Sequence, residues 1–446
     1  MGVIVSDRRT LVVGLGKTGL SCVRYLCEQG REVAVADSRP APPGLEELST
    51  GWPELPVYLG DFDPDVFAGF NELVVSPGIS IAEPAIRHAA EQGATIRGDI
   101  DLFAEAADAP IVAITGSNGK TTVTTLVGEM ARAAGRNVEV GGNIGTPALD
   151  LLGRGADLYV LELSSFQLET TRELNALAAT VLNVSDDHMD RYPTKMAYFQ
   201  AKQRIFNGCK NAVVNLDDAL STPMARDSLR FLCFGFHRVN PDTFSTREDD
   251  EGTWITFGFD NLLLADELGL MGSHNISNVM AALALGHAAG LPMDVMLGTV
   301  RNFRGLPHRC EFVRRVGEVD YINDSKGTNV GATVAAIESL MPANGKVVLI
   351  AGGEGKGADF SLLAEPVATR CRAAVLMGAD AGLIASALGN EAEIVMAATM
   401  EDAVRKAADL AEPGDRVLLS PACASFDMFR DYIDRGDSFR KQVEGL

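Results

Sequence analysis

The segment AITGSNGKTT, residues 113–122, contains the residue types that bind the phosphates of a nucleotide. The common phosphate loop reads G-x-x-x-x-G-K-[ST], in which backbone N–H groups, a lysine and a hydroxyl surround the phosphates. Here Ile114 stands where the first glycine belongs, and Gly116 comes two residues later. The pattern indicates either a shortened phosphate loop or a glycine turn that merely precedes Lys120.

The flanking segments favour a nucleotide site. An apolar strand, residues 111–114, precedes the loop, and apolar residues then recur at helical spacing as far as Gly135. Lys120 and Thr121 are therefore expected at a helix N-terminus, where free N–H groups and the helix dipole favour phosphate. The later apolar strand LYVLELSS contains Glu162, a suitable ligand for Mg²⁺ beside a triphosphate.

A second glycine cluster, GLGKTG, supplies Gly14, Gly16 and Gly19 between a predicted strand and a predicted helix, and Asp37 closes the next strand. This spacing is typical of a turn that places a pyrophosphate at a helix N-terminus, with an acid near the ribose. The pattern does not identify the nucleotide. A junction that needs its glycines only for packing is the alternative.

One lysine lies on the wrong face of a predicted helix. In TKMAYFQAKQRIF, Tyr198, Phe199, Ile205 and Phe206 form an apolar stripe at about 100° per residue, and Lys202 lies in its middle. Because desolvating an ammonium group is costly, this lysine must snorkel to water, find a partner or change chemically.

A polar cluster, Asp186, Asp187 and His188, follows the strand that precedes this helix. The carboxyl ends of strands are where α/β proteins place their sites. His188 is either a ligand in such a site or a histidine that is only hydrogen-bonded.

Composition narrows the class of protein. A chain of 446 residues is expected to form two or three domains, and a formal net charge of −21 argues against nucleic-acid binding. Its seven cysteines are scattered and form no C-x-x-C pair, as expected in a reducing compartment. The first residues do not resemble a signal peptide, and the most apolar stretch, VMAALALGHAAGLPM, is too short for a membrane span. We expect a cytoplasmic protein without membrane insertion.

Apolar strands alternate with helical segments along the whole chain, which is the pattern of an α/β fold with parallel sheets. Three domains are expected: a Rossmann-like domain over residues 1–98, a central P-loop ATPase-like domain over residues 99–303, and a Rossmann-like domain over residues 304–446. A hinge is expected near residues 305–309, where glycine and proline interrupt the helical pattern.

Taken together, the motifs resemble those of the Mur ligase family, most closely its D-glutamate-adding branch. The segments TGSNGKTT, GGNIG, LELSSFQLE, DDHMDRY, GSHNISN, PHR, NDSKGTN, GGEGKGADF and SPACASFD occur in the family's order, between Gly14 and about Phe439. The shortened phosphate loop is the usual ATP-binding form in this family. The resemblance implies a monomeric ATP-dependent ligase of peptidoglycan precursor synthesis. Its substrates would be UDP-N-acetylmuramoyl-L-alanine, D-glutamate and ATP, with two Mg²⁺ ions and CO₂ bound as a lysine carbamate.

The resemblance also implies roles for individual residues. ATP would contact Gly116, Ser117, Asn118, Gly119, Lys120, Thr121, Thr122, Asn275, Asn278, Arg309 and Asp324. The UDP-sugar would contact Thr18, Ser38, Arg39, Ser76, Gly78, Asn143 and His188. D-Glutamate would contact Lys326, Thr328, Lys356, Ser425, Phe426 and Tyr432. The metal ions would lie near Thr121, Glu162, His188 and carbamylated Lys202, and the catalytic residues would be Lys120, His188 and Lys202.

Two departures and several alternatives remain. Tyr432 stands where the family usually has phenylalanine, and Lys17 stands where an apolar residue is common. A dehydrogenase would leave Lys120, Glu162 and Lys202 without a role, and a regulatory NTPase would not explain the lysines of the third domain. Sister ligases that add a diamino acid usually contain a D-x-P-R stretch, which this chain lacks. Folylpolyglutamate synthase lacks the GLGKTG domain.

Overall fold

The structure is a computed structural model that describes residues 9–185, 187, 191–224, 229–342, 344–389 and 392–446. These residues form three β-sheets connected by helices, so the predicted α/β class with parallel sheets is confirmed. The domain boundaries at residues 98 and 303 stay predictions. Within the described ranges, no helix is both long and apolar enough to cross a membrane.

The first sheet has five parallel strands in the order β3-β2-β1-β4-β5. Its strands are β1 (Arg9–Val13), β2 (Glu32–Asp37), β3 (Val57–Leu59), β4 (Glu72–Val75) and β5 (Thr95–Arg97), and its helices are α1 (Lys17–Glu28), α2 (Leu45–Gly51), α3 (Pro64–Ala68), α4 (Pro84–Glu91) and α5 (Asp99–Ala106). The strand order reverses between β1 and β4, so the carboxyl ends of these strands border a crevice. The first glycine turn follows β1 at this crevice.

The second sheet has nine strands in the order β14-β13-β12-β11-β10-β9-β6-β8-β7. Its strands are β6 (Ile111–Thr115), β7 (Val138–Gly142), β8 (Leu158–Glu162), β9 (Ala178–Val181), β10 (Asn211–Asn215), β11 (Arg230–Phe234), β12 (Thr243–Asp249), β13 (Gly252–Phe257) and β14 (Asp260–Leu264). Its helices are α6 (Lys120–Ala133), α7 (Ser165–Thr170), α8 (Lys195–Gln203), α9 (Ser273–Ala288) and α10 (Met293–Asn302). The last three strands pair antiparallel at one edge, a feature that the apolar pattern does not predict.

The third sheet has six strands in the order β15-β16-β20-β17-β18-β19, with only the β15–β16 pair antiparallel. Its strands are β15 (Glu311–Val316), β16 (Val319–Asn323), β17 (Val347–Ala351), β18 (Cys371–Leu376), β19 (Glu393–Met396) and β20 (Arg416–Leu419). Its helices are α11 (Val330–Ser339), α12 (Ala364–Arg370), α13 (Ala381–Leu388), α14 (Met400–Leu410) and α15 (Tyr432–Glu444).

Burial explains why the central strands read as continuous apolar runs. All five residues of β6 are buried, as expected for a parallel strand covered on both faces. One apolar cluster extends from the first sheet into the second, and in it Phe103 of α5 meets Tyr159 of β8 edge-on, with 5.0 Å between ring centres. The first two sheets therefore share a core, which fixes the crevice of the first relative to the second.

Candidate functional site

The phosphate loop joins β6 to α6 and depends on glycine. Gly116 and Gly119 have φ angles of +157° and +83°. A Cβ at Gly119 would lie 2.4 Å from Asn278 Oδ1, so both the backbone conformation and the space require glycine. Among the described residues no side chain at the N-cap position bonds the first amides of α6. Such amides are the groups that bind phosphate at a helix N-terminus.

The chain after β9 holds the loop in place. Ser117 N donates to Asn183 O at 2.9 Å, and Asn118 N donates to Asn183 Oδ1 at 2.8 Å. The Ser117 hydroxyl donates to Ser185 O at 3.0 Å. Hydrogen bonds to Asn183 and Ser185 therefore hold the conformation of the phosphate loop.

Two lysines share one acceptor in this loop. Lys120 Nζ donates to Gly116 O at 2.8 Å and to Ser117 O at 2.9 Å, and Lys202 Nζ donates to Gly116 O at 2.9 Å. Burial lowers the pKa of both amines. For Lys202 the charge of Lys120 lowers the pKa further, well below the ordinary 10.5, because two cations here face the same carbonyl.

Of the three possibilities for Lys202, snorkelling is wrong. Lys202 is 1% exposed, its Nζ lies 3.4 Å from Thr115 Oγ1, and it lies 4.5 Å from the centre of the Tyr198 ring. The amine therefore has partners inside the protein. A buried amine whose pKa is this low is also available for chemistry.

Glu162 at the end of β8 presents one oxygen that has no hydrogen-bond partner in the part of the chain that the structure describes. Asn143 Nδ2 donates to Glu162 Oε1 at 2.8 Å. Glu162 Oε2 is buried, and no described residue hydrogen-bonds it. Because an unsatisfied buried carboxylate oxygen is costly, this atom suits a cation. Asn143, which the resemblance assigns to the UDP-sugar, here orients Glu162.

The third domain reaches the phosphate loop through two side chains. Arg309 Nη2 donates to Thr121 Oγ1 at 2.6 Å. Asn329 Nδ2 lies 3.2 Å from Asn118 Oδ1 and 3.3 Å from Asp187 Oδ2. These contacts bring the third domain against the start of α6.

A cavity of about 1090 Å³ lies between the central and third domains. The predicted site residues in its wall are Ser117, Asn118, Gly119, Lys120, Thr121, Asn143, Glu162, Lys202, Arg309, Lys326, Thr328, Lys356 and Tyr432. Other predicted and described residues of the central and third domains lie outside this wall: Gly116, Thr122, Asn275, Asn278, Asp324, Ser425 and Phe426. The cavity thus brings the phosphate loop, the carboxylate of Glu162 and the third-domain lysines together.

At the third-domain end of the cavity each lysine packs on an aromatic ring. Lys326 Nζ lies 4.1 Å from the centre of the Tyr432 ring, and Lys356 Nζ lies 5.4 Å from that of Phe426. Burial, followed by the charges of Arg309 and Lys120, lowers the pKa of Lys326 to about 8. Although the chain is acidic overall, these cations make this end of the cavity suitable for anions.

Three residues predicted to contact the nucleotide lie behind the wall. Asn278 Nδ2 donates to Asn275 Oδ1 at 3.1 Å, beside Gly119. Asp324 is buried, and its two oxygens accept from Cys310 N at 3.2 Å and from the Ser420 hydroxyl at 2.8 Å. Burial raises the pKa of Asp324 to about 6. Its predicted ribose contact would require one of these bonds to open.

The first glycine turn is packed tightly at the crevice of the first sheet. A Cβ at Gly19 would lie 1.8 Å from Gly14 O, and the Ser76 hydroxyl donates to that same oxygen at 2.8 Å. Thr18 is half-buried, whereas Lys17, Ser38, Arg39 and Gly78 are exposed around the turn. The structure therefore brings the predicted UDP-sugar residues of the first domain to one crevice.

Asp37 does not offer a free carboxylate at that crevice. Its oxygens accept from Leu15 N at 2.7 Å and from Arg39 Nε and Nη2 at 2.8 and 2.7 Å. Burial alone would raise the pKa of Asp37, but these hydrogen bonds lower it to about 2. An acid engaged in this way is poorly placed to bind the ribose of a dinucleotide.

Asp186 and His188 lie outside the described residues, so the structure does not address their predicted roles. Within the described part of the chain, no three His, Cys, Asp or Glu side chains form a group that could hold a metal ion. Sequence reasoning also missed Asn329, which lies inside the NDSKGTN motif. An asparagine at this position is expected to cap a helix. Asn329 does cap α11, since its Oδ1 accepts from Ala332 N at 2.8 Å.

Three family models match the chain. A Mur ligase MurD-like N-terminal domain matches residues 8–98, a Mur ligase middle domain matches residues 114–286, and a Mur ligase glutamate ligase domain matches residues 308–423. Each match falls on one of the three sheets.

Individual proteins are similar over the full length. A protein of Marinobacter nauticus named UDP-N-acetylmuramoylalanine–D-glutamate ligase is 79% identical over 446 residues, covering 100% of both chains. A protein of Pseudomonas aeruginosa with the same name is 56% identical over 447 residues, again covering 100% of both. Among solved structures, a pseudomurein peptide ligase type C from Methanothermus fervidus has a TM-score of 0.60 at 17% identity, covering 98% of this chain and 100% of that one. UDP-N-acetylmuramate-alanine ligase from Thermotoga maritima has a TM-score of 0.58 at 18% identity, with the same coverage.

Proposed function

Because the chain belongs to the Mur ligase family, we propose that it uses ATP to add D-glutamate to UDP-N-acetylmuramoyl-L-alanine. This reaction is a step of peptidoglycan precursor synthesis. We further propose that the protein is a monomer and that it acts in the cytoplasm. The names of the 79% and 56% identical relatives support it. The structural observation that supports it best is the 1090 Å³ cavity, which contains the phosphate loop at one end and Lys326 and Lys356 at the other.

The chemistry requires activation of a carboxylate, because an amine does not form an amide with an unactivated carboxylate at neutral pH. An oxygen of the alanyl carboxylate attacks the γ-phosphorus of ATP, the bond from that phosphorus to the bridging oxygen breaks, and ADP leaves with the electron pair. The amine nitrogen of D-glutamate then attacks the acyl carbon and loses a proton, and the tetrahedral intermediate expels phosphate. Lys120 and the first amides of α6 hold the phosphates and offset their charge.

The residues present fit one Mg²⁺ ion between α6 and β8. Glu162 Oε2 is a buried oxygen without a hydrogen-bond partner among the described residues, and the Thr121 hydroxyl lies in the same cavity wall. The ion, when bound, would neutralise charge on the phosphates and the attacking carboxylate. Two protein ligands leave further positions for phosphate oxygens and water. A second ion is expected near His188 and Lys202.

Lys202 is expected to be carbamylated. A neutral amine nitrogen adds to the carbon of CO₂ and releases a proton, which turns the side chain into an anion. The lowered pKa and the 1% exposure of Lys202 support the neutral amine that this step requires. A carbamate would also remove the conflict between two cations at Gly116 O.

Charge and position support the proposed subsites for D-glutamate and for the UDP-sugar. D-Glutamate is dicarboxylic, so the pocket of Lys326, Thr328, Lys356, Ser425, Phe426 and Tyr432 suits it, with the two lysines as anion partners. The UDP-sugar would extend from the first crevice, past Thr18, Ser38, Arg39, Ser76 and Gly78, towards the cavity. A dehydrogenase is disfavoured because Asp37 is engaged by Arg39.

An assay of ADP release tests the proposal. UDP-N-acetylmuramoyl-L-alanine and ATP are supplied with D-glutamate, L-glutamate, L-lysine or diaminopimelate in turn. We expect turnover with D-glutamate and little with the others. Equal turnover with a diamino acid, or oxidation of NAD(P)H with no ADP release, would contradict the assignment. Lys202→Ala should lose activity and regain part of it with a small added carboxylic acid, whereas a folded variant without such rescue would contradict the carbamate.

A further inference from the structure

A histidine outside the cavity wall links the central and third domains. His274 lies in the first turn of α9, and its Nδ1 is 2.6 Å from the hydroxyl of Ser339, the last residue of α11. Its Nε2 is 3.5 Å from Cys310 Sγ, in the segment that enters the third domain. One imidazole on α9 therefore contacts two other segments of the chain.

The hydrogen bonds of this cluster are consistent with an imidazole that carries its proton on Nδ1. The Ser339 hydroxyl donates to Ala335 O at 2.5 Å, so its oxygen is left to accept from His274 Nδ1–H. His274 Nε2 is then an acceptor for the Cys310 thiol, which also has the Asp324 carboxylate as an acceptor. The resulting chain is Cys310 to His274 to Ser339 to Ala335. It requires a neutral imidazole with its proton on Nδ1.

The surroundings suit that state. Burial lowers the pKa of His274 to about 4, so the ring is neutral at physiological pH. Burial, followed by the charge of Asp324, raises the pKa of the Cys310 thiol, so Cys310 keeps its proton. Gly272, at φ +93°, makes room for the contact, because a Cβ there would lie 2.9 Å from His274 Nδ1 and 3.0 Å from Ser339 Cβ.

His274 is connected to the phosphate loop on two sides, through its contact with Cys310 and through its neighbour in the sequence, Asn275. Cys310 directly follows Arg309, which donates to Thr121, and Cys310 itself has φ +48°, a conformation that non-glycine residues adopt only when neighbours hold it. On the other side His274 directly precedes Asn275, which is hydrogen-bonded to Asn278 beside Gly119.

We propose that His274 is a positioning residue that, through Cys310 and Ser339, holds Arg309 and the start of α9 in register with the phosphate loop. The proposal rests on the function proposed above and adds to it a coupling between domain docking and ATP binding. Removing the imidazole nitrogens should loosen Arg309 and weaken ATP binding without affecting the predicted UDP-sugar residues at the crevice of the first sheet.

Steady-state kinetics of His274→Phe test this role. We expect the KM for ATP to rise about tenfold, the effect of about one lost hydrogen bond, while the KM for the UDP-sugar changes less than about twofold. His287→Phe, at the other end of the same helix, is the matched control and should leave both values unchanged. Ser339→Ala should raise the KM for ATP, whereas Ser386→Ala, which removes a similar helical hydroxyl on α13 that donates to Gly382 O, should not.

A double-mutant cycle separates positioning from general stabilisation. If His274 acts through Arg309, His274→Phe should add little to the rise in KM for ATP that Arg309→Ala causes alone. Fully additive effects, or a lowered melting temperature with unchanged KM for ATP, would overturn the proposal.

A measurement without substrate keeps the proposal testable if the variants fold poorly. ¹⁵N NMR of histidine-labelled wild-type protein, with the His274 signal assigned by its loss in His274→Asn, should show the Nδ1–H tautomer at neutral pH. The Nε2–H tautomer would overturn the proposal, since Nε2 could not then accept from the Cys310 thiol. A wild-type protein that releases no ADP would instead contradict the proposed function and leave this result intact.

Discussion

Replacing Lys202 by methionine tests whether its amine is neutral in the folded protein. Lys202 is 1% exposed, and burial and the charge of Lys120 lower its pKa well below 10.5. In the unfolded chain the pKa returns to about 10.4. Between the folded and unfolded values, the unfolded chain therefore binds one more proton than the folded protein. Stability must rise with pH across this window, by about 1.4 kcal/mol per pH unit for one proton.

Methionine has no such proton, and it keeps most of the side-chain volume. Lys202→Met should therefore be more stable than the wild type near neutral pH, because replacing a buried charge by an apolar group is often stabilising. Its advantage should shrink as the pH rises from the folded pKa of Lys202 towards the unfolded one, at up to about 1.4 kcal/mol per pH unit for one proton. The Gly116 carbonyl still accepts a hydrogen bond in this variant, since Lys120 donates to it.

The assay is urea unfolding in CO₂-free buffer, followed by tryptophan fluorescence. The chain has two tryptophans, so a Trp52→Phe background leaves Trp254, on β13 of the central sheet, as the reporter. Lys195→Met, at an exposed position of the same helix, is the control and should keep the wild-type pH dependence. Parallel pH profiles for the wild type and Lys202→Met would show that the folded lysine stays protonated and would refute the reasoning.

Three further changes test other parts of the site. Gly119→Ala adds a methyl group at φ +83° in an occupied space. It should raise the KM for ATP at least about tenfold, since a left-handed conformation alone costs a non-glycine residue about 1–2 kcal/mol. Gly135→Ala, at φ +78° with no described atom within 4 Å of the added carbon, is the control and should leave that KM unchanged. Glu162→Gln keeps the shape but removes the charge, so a magnesium titration of ADP release should shift to about tenfold higher concentration or more, and an unchanged titration would argue against this ligand. Asp37→Asn should lower the unfolding free energy of the first domain at pH 7 by about 2 kcal/mol, because its pKa falls from 3.8 to about 2 on folding. That contribution is present above about pH 4 and is lost as the pH falls through 2, so urea unfolding followed by Trp52 should show equal stability of variant and wild type only in strong acid.

Local patterns predicted most of the elements. The strand before the phosphate loop and the helix after it are found where the apolar spacing places them, as β6 and α6. The misplaced charge of Lys202 also indicated a special environment, because helical periodicity depends only on neighbouring residues. Such features are encoded within a few turns of chain.

Partners that come from distant segments were not predictable in the same way. Asn143 reads as a surface residue of a glycine-rich loop, yet it orients Glu162 from a neighbouring strand end. The antiparallel pairing of the edge strands of the central sheet was not predicted, because pairing direction depends on how the chain turns between strands. The link from Cys310 to His274 and Ser339 joins positions separated by 36 and 65 residues, which no local pattern connects.

The Gly116 carbonyl has a consequence for the order of events at the loop. It accepts from both Lys120 and Lys202, so both amine groups have an acceptor in this loop. When a triphosphate enters, Lys120 has only to trade this oxygen and that of Ser117 for phosphate oxygens. Lys202 then keeps the carbonyl to itself. Nucleotide binding at one lysine would therefore alter the electrostatic surroundings of the other, and the carbamylation proposed for Lys202 would be thermodynamically linked to the presence of ATP.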